Sequence, residues 1–238
     1  MNDEWSAKLA ARENHLIRRL PRESRERLLG ICEPIYLTRG EILGEQGVPT
    51  RNVYFPTDSY ISVETSIDGK PVLEVGMVGR EGMLGAHLAL GIANESLHSL
   101  VQGPGLAWRI PTRAFRRELA HSVALQRGLN HYIYVLMAQM ASSAACLRFH
   151  LIGPRLARWL LMSHDRANSD DFSVTQPFLA HMLGVRRGAI SAAAGELQRR
   201  NVIEYCRGDI TVLNRIALEA ASCGCYVTER QTYSESLN

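Results

Sequence analysis

Residues 175–203 read T-Q-P-F-L-A-H-M-L-G-V-R-R-G-A-I-S-A-A-A-G-E-L-Q-R-R-N-V-I, and this stretch decides how the C-terminal part folds. It predicts two short amphipathic helices joined by a tight turn. Thr175 is placed to cap the first helix, and Pro177 falls in its first turn, where a missing N–H costs little. Phe178, Leu179, Met182 and Leu183 form an apolar stripe at helical spacing. Gly184 supplies the backbone freedom for the turn. The second helix opens with Arg186 and Arg187 and buries Ile190 and Leu197, with Val185 packing between the helices. Ser191, Ala192, Ala193, Ala194 and Gly195 keep that helix thin enough to approach the floor of a DNA major groove closely.

An arginine fork donates two hydrogen bonds to O6 and N7 of guanine, worth about 1–3 kcal/mol of discrimination. Arg186 and Arg187, with Gly188 beside them and Ser191 one turn on, stand where a recognition helix carries its reading groups. Thr175, Arg199 and Arg200 are placed for phosphate or solvent. An ordinary helical hairpin with solvated arginines has the same pattern. The residues that follow favour the first reading. Val202–Tyr205 and Ile210–Leu213 are β-prone runs around an Arg207-Gly208-Asp209 turn, the hairpin of a winged helix with Arg207 at its tip. Between His150 and Arg215 nine arginines stand against six acids, a modest excess that supports nucleic acid as a partner.

The chain has 238 residues, 46% of them hydrophobic and 21% charged, with a net charge of +3. These values fit a globular protein of two domains and exclude a histone-like polycation. All basic residues but Lys8 and Lys70 are arginines, a bias that suits phosphate and guanine but also follows from base composition. No apolar run is long enough to span a membrane. The opening M-N-D-E-W-S-A-K lacks the features of a signal peptide, so the expected location is the cytoplasm. Cysteines 32, 146, 206, 223 and 225 are scattered and odd in number, which argues against a disulfide framework. Cys223-Gly-Cys225 is one close pair without a partner CxxC, so the expectation is no metal and no cofactor, with the thiols buried or in the tail.

The N-terminal half reads differently. Trp5–Leu29 predicts one or two amphipathic helices. Short β-prone runs then alternate with turns: Ile31–Leu37, Val53–Phe55, Tyr60–Ile67 and Pro71–Met77 across Asp68-Gly69-Lys70, and Leu97–Val101 and Leu106–Ile110 around Gly103-Pro104-Gly105. Many short strands with regular turns imply a barrel or jelly roll. Thr112 is placed to cap a short helix through Leu119. A long helix follows from about Val123 to Leu151, and Gly153-Pro154 is expected to break it. Along it Ile133, Met137, Met140, Ala144 and Leu147 recur at coiled-coil spacing, a candidate seam for a homodimer. Packing of that face on the protein's own barrel is the alternative.

The order helix, jelly roll, long helix, winged helix-turn-helix resembles the Crp/Fnr family of bacterial transcription regulators over nearly the whole chain. R-G-E-I-L-G-E-Q-G (39–47), V-Y-F-P (53–56), V-G-R-E-G-M-L-G (78–85) and residues 175–203 carry the likeness. The resemblance implies an α+β protein with five parts: an N-terminal helical segment (1–30), a cyclic-nucleotide-binding-like jelly roll (31–120), a dimerisation helix (121–152), a winged helix-turn-helix (153–222) and a tail (223–238). It implies a homodimer that binds a palindromic site on double-stranded DNA and regulates transcription, with RNA polymerase as a candidate further partner.

The same resemblance implies a degenerate effector pocket at Gly85, Ala86, His87, Ser96 and Leu97. Cyclic-AMP-binding members carry Gly-Glu followed ten residues later by Arg-Ser, where this chain has Gly85-Ala86 and Ser96-Leu97. The acid for ribose and the arginine for phosphate are both gone, and burying the anion without a cation is costly. His87 and His98 are candidate haem ligands, an unknown small molecule is a second option, and action without any effector a third. In the recognition helix Arg187 matches the family's first arginine, whereas Gly188 replaces its glutamate and Ala192 its second arginine. Two rival classes stay open: a jelly-roll metalloenzyme, which would need clustered histidines and an acid on neighbouring strands, and a ligand-sensing interaction module that never touches DNA.

Overall fold

Among the described residues between positions 33 and 111, runs of β-branched and aromatic residues punctuated by glycine and proline form seven strands. The computed structural model describes residues 13–66, 68, 72–167 and 169–237. The part of the expected N-terminal helical segment that precedes Glu13 lies outside them. So do Ile67, Gly69, Lys70 and Pro71 of the expected hairpin, and Asn238 of the tail. Contacts divide the chain into two compact units, Met1–Val63 with Met77–Met137 and Glu235–Asn238, and Glu64–Gly76 with Ala138–Ser234.

In the first unit, helices α1 (His15–Arg18) and α2 (Arg22–Leu29) precede the strands. Asn14 caps α1, accepting from the amides of Leu16 and Ile17. Its buried amide nitrogen also donates to the carbonyls of Pro56 (2.9 Å) and Gly82 (2.7 Å), tying the helix to the strands. The strands are β1 (Glu33–Leu37), β2 (Ile42–Gly44), β3 (Asn52–Pro56), β4 (Tyr60–Thr65), β5 (Leu73–Val78), β6 (His98–Gly103) and β7 (Gly105–Pro111), of which Glu64, Thr65 and residues 73–76 are counted with the second unit. They make two sheets, ordered β1-β7-β3 and β2-β6-β4-β5. β6 and β7 are consecutive yet lie in different sheets, so the chain crosses from one to the other at Pro104.

Val53, Phe55, Ile61, Val101 and Ile110 are buried in this unit, as are Leu28 from α2 and Phe115 from α3 (Thr112–His121). Phe55 and Phe115 stack at a tilt, ring centroids 6.3 Å apart. Thr112 does not cap α3. Its hydroxyl donates to the Thr50 carbonyl (2.7 Å), and Pro111 occupies the capping position with no side-chain bond to offer. A long helix, α4 (Val123–Phe149), follows, with the Ser122 hydroxyl accepting from the Leu125 amide (3.2 Å). Leu125, Leu129 and Tyr132 are its buried side in the first unit, and Gly82 is needed there because a Cβ would sit 2.0 Å from the Tyr132 hydroxyl.

The second unit holds α5 (Ile152–Ala167), β8 (Asp171–Ser173), α6 (Gln176–Met182), α7 (Arg187–Arg199), β9 (Ile203–Cys206), β10 (Asp209–Val212), α8 (Arg215–Ala221) and most of α9 (Cys225–Leu237). The helical break falls at His150-Leu151, not at Gly153-Pro154, which sit inside the first turn of α5. Proline is tolerated there because a first-turn N–H has no helical partner to lose. The expected two-stranded wing is a three-stranded sheet, β8-β10-β9. Leu156, Leu160, Leu179, Ile190, Leu197, Ile210 and Leu218 are buried and form its core. The segment Glu64–Gly76 belongs to this unit, where Trp159 Nε1 donates to Glu74 Oε1 (2.8 Å).

Candidate nucleic-acid interface

Local chemistry fixes both helices of the hairpin. The Thr175 hydroxyl accepts from the Phe178 amide (3.3 Å), and Pro177 lies in the first turn of α6. Gly184 then turns the chain at a φ of 62°, in the left-handed region. The Val185 amide closes the turn on the Ala180 carbonyl (2.9 Å). Arg186 is the N-cap of α7 rather than part of it, and its side chain makes no capping bond.

On α7, Ile190, Ala193, Ala194 and Leu197 are buried. At 3.6 residues per turn the opposite face carries Gly188, Ala192, Gly195 and Arg199, with Arg187 and Ser191 on its flank. Arg186, Arg187, Gly188, Ser191 and Arg199 are all exposed. Arg199 pairs with Glu196 (2.5 Å). Arg186, Arg187 and Arg207 have no acidic partner among the described residues. The Ser191 hydroxyl lies 2.6 Å from Gln176 Oε1, bridging the two helices, and 3.2 Å from the Arg187 carbonyl. A Cβ built on Gly188 or Gly195 meets nothing within 4 Å. The protein's own packing therefore gives no reason for glycine at either position.

The wing turns in two residues, Arg207 (φ 52°) and Gly208 (φ 96°), with Cys206 and Asp209 as the closing strand pair. Asp209 is thus the first residue of β10 and not part of the turn. Two bonds converge on Val174, just before α6: its amide donates to the Gly208 carbonyl (2.6 Å), and its carbonyl accepts from the Tyr205 hydroxyl (2.7 Å). Burial pushes the Tyr205 phenol up to about 12, against the opposing charge of Arg187, so the hydroxyl keeps its proton.

Counting arginines overstates the surface charge. Arg155 is buried and donates to the Leu183 carbonyl, and Arg158 is buried against Glu229 and Ser143. Arg215 serves Asp165, Glu219 and the Tyr226 hydroxyl. Nothing in residue type separates these interior arginines from the exposed ones on α7.

In the first unit Gly85 (φ 92°) precedes a 3₁₀ turn over Ala86–Leu90. Ala86 is buried, His87 is half-buried, Ser96 is exposed and Leu97 is half-buried. His87 Nε2 lies 2.8 Å from the Thr50 hydroxyl, which donates to the buried carboxylate of Glu95 (2.6 Å). Burial holds the imidazole below its usual 6.5, with Glu95 opposing and Arg116 adding to the shift. The Cys32 thiol donates to the Leu28 carbonyl (3.2 Å), and burial pushes its pKa up to about 12, so it is a poor nucleophile.

The seam residues on α4 differ in surroundings. Met137 is 66% exposed, Met140 and Ala144 are exposed, and Ile133 and Leu147 are half-buried. The expectation that Cys223 and Cys225 lack further ligands needs correction. They meet Cys146 and His150, far away in sequence. The signal that would have found this is the i, i+4 pair Cys146/His150 at the end of a predicted helix.

Residues 154–221 match the family of Crp-like helix-turn-helix domains. Comparison with curated proteins finds no match. Solved structures with a similar fold include the following three. FixK2 from Bradyrhizobium japonicum shares 13% identity over 82% of this chain and 98% of its own, with a TM-score of 0.68. The c-di-GMP-responsive global regulator CLP of Xanthomonas campestris shares 14% over 81% and 99%, at 0.64. A CRP-family transcriptional regulator from Thermus thermophilus shares 19% over 79% and 96%, at 0.63.

Proposed function

From a chain with the fold of Crp/Fnr regulators and a Crp-like helix-turn-helix domain at residues 154–221, we propose a homodimeric regulator of transcription that reads a palindromic DNA site through α7. The observation that carries this reading is the outer face of α7. Exposed arginines flank a strip of Gly188, exposed Ala192 and Gly195, and nothing inside the protein requires the two glycines to be small. Arg187 is the group for a guanine edge, Arg186 and Ser191 support it, and Thr175, Arg199 and Arg207 meet phosphate. A second copy of the chain covers the exposed methionines of α4, since two-fold pairing places two recognition helices one helical turn of DNA apart.

The effector pocket is read as unable to take cyclic AMP in the usual way. Ala86 and Ser96 offer neither carboxylate nor guanidinium, and the nearby buried carboxylate of Glu95 repels a phosphate. Isothermal titration with cyclic AMP is expected to give no stoichiometric heat, and tight binding would overturn this point. The metalloenzyme reading loses ground because, among the described residues, the group of metal-ligand spacing is Cys146, His150, Cys223 and Cys225, none of which belongs to a strand. No helix among the described residues is long and apolar enough to cross a membrane, in keeping with a protein that works on DNA in the cytoplasm. Selection from random DNA fragments at near-physiological salt tests the whole reading. Enrichment of one two-fold symmetric sequence is expected, and retention of all fragments alike would refute it.

A further inference from the structure

Four soft ligands converge in the second unit. Cys146 lies in the last turn of α4, and His150 directly follows the helix with its amide still bonded to the Cys146 carbonyl (3.1 Å), which keeps the two residues one turn apart. Cys223 lies in the turn between α8 and α9, and Cys225 opens α9. The Tyr226 amide bonds the Cys223 carbonyl (3.1 Å), which folds the Cys-Gly-Cys segment back on itself. Cys146 Sγ is 3.5 Å from Cys223 Sγ, and Cys225 Sγ is 3.6 Å from His150 Nδ1. All four ligand atoms lie within 4.8 Å of one another.

The two shortest of these separations, 3.5 and 3.6 Å, are close to the edges of a tetrahedral site, and all the others lie within 4.8 Å. A zinc ion holds sulfur at about 2.3 Å and imidazole nitrogen at about 2.0–2.1 Å, which puts neighbouring ligand atoms about 3.8 Å (S to S) and about 3.5 Å (S to N) apart. An iron–sulfur cluster puts several atoms between its thiolates and spreads them further. A disulfide would draw two sulfurs to about 2.05 Å and leave the other two ligands unused. Three thiolates around a divalent ion leave one excess negative charge. Arg155 and Arg158, each only 8% exposed, line the same small cavity as Cys146 and are placed to balance it.

We propose that Cys146, His150, Cys223 and Cys225 bind one structural zinc ion that staples the start of α9 to the end of α4. The three thiols release their protons to solvent as the ion enters, and four protein ligands leave no open position for catalysis. The cluster joins segments 77 residues apart in sequence, so the ion closes a loop that contains the whole helix-turn-helix. This inference does not depend on DNA binding, and its test reads metal alone.

The test uses the full chain without a histidine tag, purified under reductant and given zinc. Elemental analysis is expected to find one zinc per protomer after gel filtration. Replacement by cobalt(II) is expected to give the thiolate charge-transfer and tetrahedral d–d bands of a Cys3His site. Cys225→Ser should weaken zinc binding by more than about 100-fold, beyond the loss usual for an outer-shell partner. Cys206→Ser, on the exposed wing strand, should leave it unchanged. Sub-stoichiometric zinc in the reduced unmodified protein would overturn the proposal, with no variant needed. So would octahedral cobalt bands, or a Cys146–Cys223 disulfide in protein kept under reductant.

Discussion

Replacing Gly195 by alanine separates what α7 needs as a helix from what it needs as a reading surface. Gly195 is inside the helix, and a methyl group there meets nothing within 4 Å. Alanine should therefore stabilise the folded chain by about 0.5–1 kcal/mol, from helix propensity and a less disordered unfolded state. For a protein of this size that raises the melting temperature by about 1–4 °C. The same methyl projects from the face opposite Ile190 and Leu197, the face proposed to lie on the groove floor. Lifting the helix off the base edges forfeits a bidentate contact worth about 1–3 kcal/mol, so specific affinity should fall by about 5- to 150-fold. Calorimetry and fluorescence anisotropy on the selected site, at one fixed salt concentration, give both numbers. A variant that is more stable and binds just as tightly would show that this face does not touch DNA. A lower melting temperature would show that Gly195 is not in open space.

Arg187→Ala should weaken specific binding by about one to two orders of magnitude and binding to random DNA far less. Equal losses on both would assign Arg187 to phosphate instead. Met137→Glu places a charge on the exposed side of α4 and should shift the protein from dimer to monomer in sedimentation; an unchanged mass would move the interface elsewhere. His87 gives a pH dependence with a definite sign. Burial lowers its folded pKa, so the unfolded chain binds more protons, and stability is full above 6.5 and falls as pH drops below it. His15, lowered chiefly by burial, acts in the same direction. His87→Gln should flatten this acid slope in thermal melts, and an identical slope would exclude His87 as a source.

The hairpin of α6 and α7 was legible because its signals are local: a capping threonine, a first-turn proline, an apolar stripe and a glycine at the turn. Strands β1 and β3–β7 were legible for the same reason, being bounded by glycine and proline, whereas the three-residue β2 (Ile42–Gly44) was not. What escaped lacks local signature. β8 is three residues, Asp171–Ser173, too short and polar to alternate visibly. Gly153-Pro154 looks like a break, yet the first turn of α5 absorbs it. The interior places of Arg155 and Arg158 depend on Leu183, Ser143 and Glu229, and no pattern in the chain points to those partners. The cysteine cluster needed a helical pair and a distant turn to be read together. That the chain leaves one sheet for the other at Pro104 follows from sheet packing and not from the turn.

The paired bonds at Val174 bear on how a DNA site would be chosen. With Gly208 and Tyr205 both bonded to Val174, two residues before α6, and Ser191 of α7 bonded to Gln176 of α6, wing tip and proposed reading helix are tied through α6 into one stiff tool. A stiff tool cannot adjust its two points of contact independently, so any misfit is taken up by bending or twisting the duplex. Steps that deform cheaply would then be favoured between the contacted bases, and selectivity would extend to base pairs that no side chain reaches.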